Sequence, residues 1–294
     1  MAQPELQIAD SQLFTNILQE AIFTATEKSI AGGVFNVYDM TGTPGLTAQI
    51  PVYPTITASA PAQTADVSES AVSVAQVDIT ASEIAARVDV SDLLSESTSR
   101  NMGSDVGVMI GGALAEKIDT DAFALFTEAK LNANPIVGGD NVELTPDDIL
   151  KAVYTLRGQS APTDADGDYY CVLHPKQAFN IAKVLANAGY ASSGAAAALS
   201  NVGNSLLSSS AFVGKIFNVK MFQSTAIAAD STSTSGLGAV FSPQAFGHVI
   251  KRPIRLETQR DASRRLTEYI GTTARGNEVI KAAYAVLVKG NKEV

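Results

Sequence analysis

The chain has 294 residues, 46% hydrophobic and 17% charged, and 30 acidic against 21 basic side chains leave a net charge of −9. That length supports a real hydrophobic core in one large domain or two modest ones, excludes general disorder, and the acidic balance disfavours non-specific nucleic-acid binding by the whole molecule. No apolar run of about 18 residues exists to cross a membrane, no basic-then-apolar secretion leader is visible, and the single cysteine, Cys171, excludes an internal disulfide. These features predict a soluble protein made in a reducing compartment.

Asp10-Ser11 can cap a first helix whose apolar face carries Leu13, Ile17, Leu18, Ala21, Ile22 and Ala25, ending before Gly32-Gly33. From Thr41 to Ala86 the chain then has no lysine or arginine and little of its own to bury against. Its threonine, valine, serine and alanine favour extended backbone, while Pro44, Pro51 and Pro54 confine it to an edge or a free ribbon. Val77 to Val90 reads as a strand leading out of this arm. A long helix is predicted from Asn101 to Ala129, spanning on the order of 40 Å. One apolar stripe holds Met102, Val106, Met109 and Ala113, and an adjacent one Ile110, Leu114, Ile118, Ala122 and Leu125. Gly103, Gly107 and Gly111 recur on one face, and three helix-interior glycines in register imply close backbone approach by a neighbour.

Thr145-Pro-Asp-Asp148 is a strong helix start, with a capping hydroxyl, proline in the first turn and two carboxylates at the positive dipole end; the helix stops at Gly158. Tyr169 to Leu173 reads as a buried strand and His174-Pro175 launches a helix to Ala188, an alternation that suggests a compact α/β lobe. Ala191 to Ser210 reads as a surface loop or weak helix. Val213 to Phe222 and Gly238 to Phe241 supply strands around a flexible-looking Asp230 to Gly236. Phe246 to Leu256 and the apolar Val279 to Val288 complete the chain.

Candidate chemistry is sparse. Asp164-Ala-Asp-Gly-Asp168 has glycine fourth and Pro175 twelfth, which departs from a calcium loop and favours a solvated turn. Cys171 and His174 have zinc-ligand spacing, but only His248 remains as another histidine, so a buried thiol is the better reading. Nucleophile-elbow, phosphate-loop and dinucleotide-binding motifs are all missing. No catalytic, cofactor or metal residue is therefore assigned. Charge is uneven, however. Lys251, Arg252, Arg255, Arg260, Arg264, Arg265, Arg275 and Lys281 face only Glu257, Asp261, Glu268 and Glu278 in the same stretch, leaving −13 elsewhere. Opposite-signed regions suit a self-associating subunit, although a solvated sheet face with local pairs explains them equally well.

The order of parts, N-terminal helix, extended arm, long helix, α/β lobe and basic return strands, resembles the major capsid proteins of tailed bacteriophages with the Hong Kong 97-type fold. The resemblance covers nearly the whole chain and implies an α+β fold. It divides into an N-terminal arm (1–40), an extended loop with flanking strands (41–90), a peripheral domain with the spine helix (91–150), an axial domain (151–244) and return strands of the peripheral domain (245–294). Tyr169 to Ala188 would be the strand-to-helix element of the axial domain, Val213 to Val219 its glycine-led strand pair, and Phe241 to Phe246 the return segment. The implied function is structural: copies form hexamers and pentamers of an icosahedral virion shell around double-stranded DNA. Implied partners are other copies, portal, scaffolding and decoration proteins, and packaged DNA bound non-specifically, with no membrane and assembly in the host bacterial cytoplasm. Lys251, Arg252, Arg255, Arg260, Arg264, Arg265 and Arg275 would face other subunits or DNA. A nanocompartment shell of the encapsulin type is the alternative. Two departures stand out. No lysine lies between Lys28 and Lys117, so the loop cannot donate the amine of the isopeptide lock used by some members. The arm is also reached within about forty residues, so scaffolding would be a separate protein or would have been cleaved beforehand.

Overall fold

A computed structural model describes residues 16–26, 28–54, 56, 58, 60, 73–97, 102–191, 212–228 and 235–292. The predicted Ala191 to Ser210 segment lies almost wholly outside the described residues. Helix α1 occupies residues 16–26 and is followed by α2 (Ala31–Val34), β1 (Asn36–Asp39), β2 (Thr47–Val52), β3 (Ala75–Thr80), β4 (Ser82–Ser91), α3 (Asp92–Ser97) and α4 (Met102–Phe123). Then come β5 (Val137–Gly138), α5 (Pro146–Gly158), β6 (Tyr169–Leu173), α6 (Pro175–Ala191), β7 (Phe212–Ile216), β8 (Val219–Gln223), β9 (Ser235–Phe241), β10 (Phe246–Asp261), β11 (Leu266–Val279) and β12 (Ala285–Asn291). Three sheets result: a four-stranded sheet ordered β1-β10-β11-β4, a six-stranded sheet ordered β5-β12-β9-β6-β8-β7, and the two-stranded β2-β3 ribbon.

The six-stranded sheet is buried on both faces, which is why its strands read as apolar runs rather than alternations. Tyr169, Cys171, Val240, Val286 and Val288 pack under α5 and α6. The intervening Val172, Ala239, Phe241 and Leu287 face a second core shared with α1 and α4. Gln177 pins α6 to this sheet by donating to the carbonyls of Gly236 (2.8 Å) and Gly290 (3.0 Å). At the start of α5, both the backbone N–H and the hydroxyl of Thr145 donate to Asp148 Oδ2, at 3.1 and 2.8 Å, so the predicted start is observed.

Helix α4 lies on β4 and β11 and against α1. It ends at Phe123, six residues before the predicted Ala129, and the chain continues in turns. Val106, Ile110, Leu114, Ile118 and Ala122 are buried, whereas Met109 and Ala113 of the other predicted stripe are exposed. The glycine reading is borne out at two positions. A Cβ on Gly107 would lie 2.8 Å from Ile17 O, and one on Gly111 2.5 Å from Ala21 O, so α1 rests directly on the α4 backbone. Gly111→Val is expected to destabilise the fold by about 1–3 kcal/mol through overpacking. Gly112→Ala is the control, since its Cβ meets only the flexible end of Lys28 at 3.4 Å. Thermal unfolding of the two variants checks this, and equal melting temperatures would be evidence against the α1 contact.

Several strands differ from expectation for identifiable reasons. The predicted Val77 to Val90 strand breaks at Ala81, so β3 joins β2 while β4 joins β11. Strand β11 falls within the return strands that the resemblance implies, but the residue pattern alone assigned no strand there because its sequence is polar. Its inner face needs little apolar bulk, because Ile110 and Leu114 of α4 fill the space over Gly271. The predicted Val279 to Val288 strand is two elements. Ile280 and Lys281 both donate to Ala245 O, at 2.8 and 3.2 Å, and a tight turn carries the chain from the four-stranded to the six-stranded sheet. Residues 245–294 thus divide between the two sheets. Strand β9 starts at Ser235, which is fully buried, rather than at Gly238.

Candidate assembly interface

The β2-β3 ribbon is antiparallel from Thr47↔Thr80 to Val52↔Ala75. Contrary to the expectation of little to bury against, its root has a small core in which Ala48, Ile50 and Ile79 pack with Val249. Leu46, Tyr53, Ile56 and Val74 remain exposed, with Tyr53 at 64%. Among the described residues the two strands of the ribbon hydrogen-bond only to each other, and large exposed apolar side chains on such an element are the kind of surface that associates with another molecule. The ribbon leaves the body at Ala81, whose N–H donates to Leu46 O at 2.8 Å, and there Thr80 O would lie 2.4 Å from a Cβ on Gly276. Only glycine permits that crossing.

The seven predicted basic residues lie on β10, β11 and their connecting turn, but they do not form one free cationic patch. Arg252 pairs with Glu83, Arg255 with Glu257 at 2.5 Å, and Arg260 with Asp92 at 2.5 Å. The Arg260 guanidinium holds the Asp92 carboxyl below its ordinary range. Lys251 Nζ donates to Thr43 O. Arg264 approaches Asp261 at 3.8 Å with a side chain 66% exposed, and Arg265 sits beside it in the turn with φ +53°. These two form the most available positive charge of the set. Arg275 is separate and half-buried at the root of the ribbon. The bland alternative, local ion pairing across a sheet, therefore accounts for much of the basic run.

Asp119 and His248 are buried polar side chains to which the sequence alone assigned no role. Asp119 is 5% exposed on α4, and its carboxylate accepts from Ser29 Oγ (2.8 Å), Ile30 N (3.0 Å) and Ala31 N (3.1 Å). It thereby ties the α1–α2 connection to the long helix. Burial raises its pKa above the ordinary value, against the opposing hydrogen bonds from Ile30, Ala31 and Ser29. The available signal was a lone carboxylate within the stripe Ala115, Ile118 and Ala122. His248 is fully buried, with Nδ1 2.6 Å from Asn277 Oδ1 and Nε2 3.3 Å from Arg275 Nη1. Since a guanidinium only donates, Nε2 must accept and Nδ1 carries the proton. Burial, then Arg275, lowers the His248 pKa. The neutral ring thus bridges β10 and β11.

The Asp164 to Asp168 turn is not simply solvated. Lys220 of β8 reaches Asp164 at 3.1 Å and Asp166 at 2.7 Å, and Lys215 of β7 reaches the buried Asp168 at 2.6 Å. Tyr170 donates to Asp164 at 2.7 Å, and burial with that bond pushes its pKa up to about 12. Ammonium groups therefore occupy the places a cation would take. Cys171 is buried in the core, where desolvation pushes its thiol pKa up. Among the described residues no cluster of metal-ligating side chains occurs.

Apolar exposure recurs on helices: Leu150 and Tyr154 on α5, the latter 80% exposed, Val108 and Met109 on α4, and Ile22 and Phe23 on α1. The fold as a whole is similar to solved phage capsid structures. The capsid of Ralstonia phage GP4 superposes with a TM-score of 0.65 at 11% identity, covering 88% of this chain and 87% of that one. The structure from Microbacterium phage Oxtober96 gives 0.64 at 14% identity over 88% and 90%. The capsid of cyanophage P-SCSP1u gives 0.62 at 18% identity over 90% and 89%. No curated protein sequence matches. The family model described as "Phage capsid protein" matches residues 80–288, well over half of the chain. Family and neighbours favour a phage shell over the nanocompartment alternative. The chain belongs to the phage capsid protein family, as a major capsid protein with the Hong Kong 97-type fold.

Proposed function

We propose that copies of this chain form hexamers and pentamers of an icosahedral head enclosing double-stranded DNA, with each ribbon overlapping a neighbouring copy. The carrying observation is the ribbon itself: a buried root in its own chain, then Tyr53, Ile56 and Val74 exposed beyond it. In this reading the four-stranded sheet with α4 is the peripheral domain, and the six-stranded sheet with α5 and α6 is the axial domain around which capsomers close. Many individually weak contacts become strong in a closed shell through multivalency. Portal, scaffolding and decoration proteins are the expected further partners, and assembly takes place in the host bacterial cytoplasm. Negative-stain electron microscopy of purified protein tests the proposal: closed polyhedra or isolated capsomers support it, and a stable monomer at high concentration overturns it.

Two expected results refine this function. The shell is held without isopeptide bonds from the loop, so heating in denaturant gives a single subunit band; a ladder of crosslinked subunits contradicts this. Arg264→Glu with Arg265→Glu reverses the freest basic pair. If that pair contacts other subunits, shell yield falls several-fold even without DNA, whereas a defect confined to packaging assigns it to DNA. Unchanged assembly and packaging would remove both roles.

A further inference from the structure

Where the ribbon meets the body, a cavity of about 440 Å³ opens between the β3–β4 kink, the second half of α4 and β11. Its wall carries four charged side chains, Glu83, Lys117, Asp121 and Arg275. Three of them are already paired: Lys117 with Asp121 at 2.6 Å, and Glu83 with Arg252. Arg275 is not. Among the described residues its hydrogen bonds are two long neutral ones, to Thr273 Oγ1 and His248 Nε2, each at 3.3 Å, and it takes part in no ion pair there. Asp119 interacts with it electrostatically but spends its oxygens on residues 29–31. Burial lowers the guanidinium below its ordinary pKa, the mark of a cation taken from water without full compensation.

A half-buried guanidinium ordinarily finds a bidentate acid, because the fork of donors matches a carboxylate. Asn277 on the same wall uses its carbonyl oxygen on His248, which leaves its amide N–H groups to donate. We propose that this cavity receives an aspartate or glutamate carboxylate from a neighbouring copy of the chain, with Arg275 as its principal ligand. The charge count selects that occupant. On the wall Lys117 is matched by Asp121, and Glu83 by Arg252 from outside it, so the excess is the single positive charge of Arg275; one carboxylate balances it, whereas a phosphate would bring excess negative charge beside Glu83 and Asp121. The chain carries 30 acidic residues against 21 basic, so neighbours present carboxylates in excess. This inference rests on the shell reading above.

The test compares Arg275→Met with the unchanged chain, both expressed without DNA packaging and fractionated into free subunits and shells. Loss of one charge-assisted pair per subunit is expected to raise the subunit concentration needed for assembly about tenfold. The free Arg275→Met subunit should melt at the same or a higher temperature, because an uncompensated charge has been removed. A lower subunit melting temperature with normal assembly overturns the proposal, since that is what a purely internal role gives. A second arm uses Arg275→Lys and a zero-length carbodiimide on shells of mixed ordinary and ¹⁵N-labelled copies. A mixed-label peptide joining position 275 to an aspartate or glutamate supports the proposal. Joining only within one copy, or none, overturns it. If the unchanged chain forms no shells, the shell reading itself fails; normal shells from Arg275→Met sink this inference alone.

Discussion

Phe35→Ala is expected to destabilise the subunit by about 3–5 kcal/mol, a large share of the about 5–15 kcal/mol that a folded domain has in hand. Phe35 is 5% exposed and sits at the junction of four elements. Its ring stacks on Phe246 at 4.7 Å and makes edge contacts with Phe241 at 5.6 Å, Phe123 at 6.3 Å and Phe126 at 6.4 Å. Those partners come from β9, β10, the end of α4 and the turn after it, so one ring joins the N-terminal segment to both sheets. Removing it empties a volume that the four remaining aromatic rings cannot refill, because each is held by the others. Chemical denaturation should show a lower midpoint with an unchanged slope, and Phe35→Leu should recover most of the loss. A loss below about 1 kcal/mol would mean that the site collapses freely and that the cluster is not the keystone of the core.

Asp119→Ala is expected to cost about 3 kcal/mol, through orphaned N–H groups at Ile30 and the fully buried Ala31. The effect should be local first: hydrogen exchange across residues 16–34 should accelerate more than in the six-stranded sheet. Asp119→Asn separates charge from hydrogen bonding. The folded-state pKa of Asp119 is raised by desolvation, so its titration contributes stability that is fully present below the unfolded value of 3.8 and is lost as pH rises through the folded value. The stability of the unchanged chain relative to Asp119→Asn should therefore rise as pH falls into that window. His248 acts in the opposite sense. Its lowered pKa gives stability present above about 6.5 and lost as pH falls toward the folded value, but this contribution is common to both proteins and cancels in the difference. A difference that shrinks on acidification would show that the hydrogen bonds, rather than desolvation, dominate at Asp119.

The parts that sequence reading located correctly are those whose signals are local. The Thr145 to Asp148 start of α5, the Tyr169 to Leu173 strand and the long helix each declare themselves within one or two turns of chain. The glycines of α4 also gave a usable signal, because a helix tolerates them in register only where something lies against the backbone. What failed was long-range. Strand β11 looks polar because its neighbour supplies the apolar bulk, and the apolar stretch after Val279 divides because Ala245 captures two amides from it. For the basic run the sequence left a subunit-facing surface and local pairing equally open, and the partners that neutralise Arg252 and Arg260, Glu83 and Asp92, lie far away in sequence.

By itself the sequence determined that a lysine-free, proline-marked arm precedes a long amphipathic helix and an α/β lobe, since composition and periodicity depend only on neighbours along the chain. Tertiary structure alone decided which charges remain unpaired and where the arm is anchored. Ion pairs and close backbone crossings join residues from distant parts of the chain, and no local pattern encodes their partners. Arg275 shows the difference: in the sequence it is one of eight basic residues, and in the fold it lies half-buried on a cavity wall where its hydrogen bonds go to neutral partners.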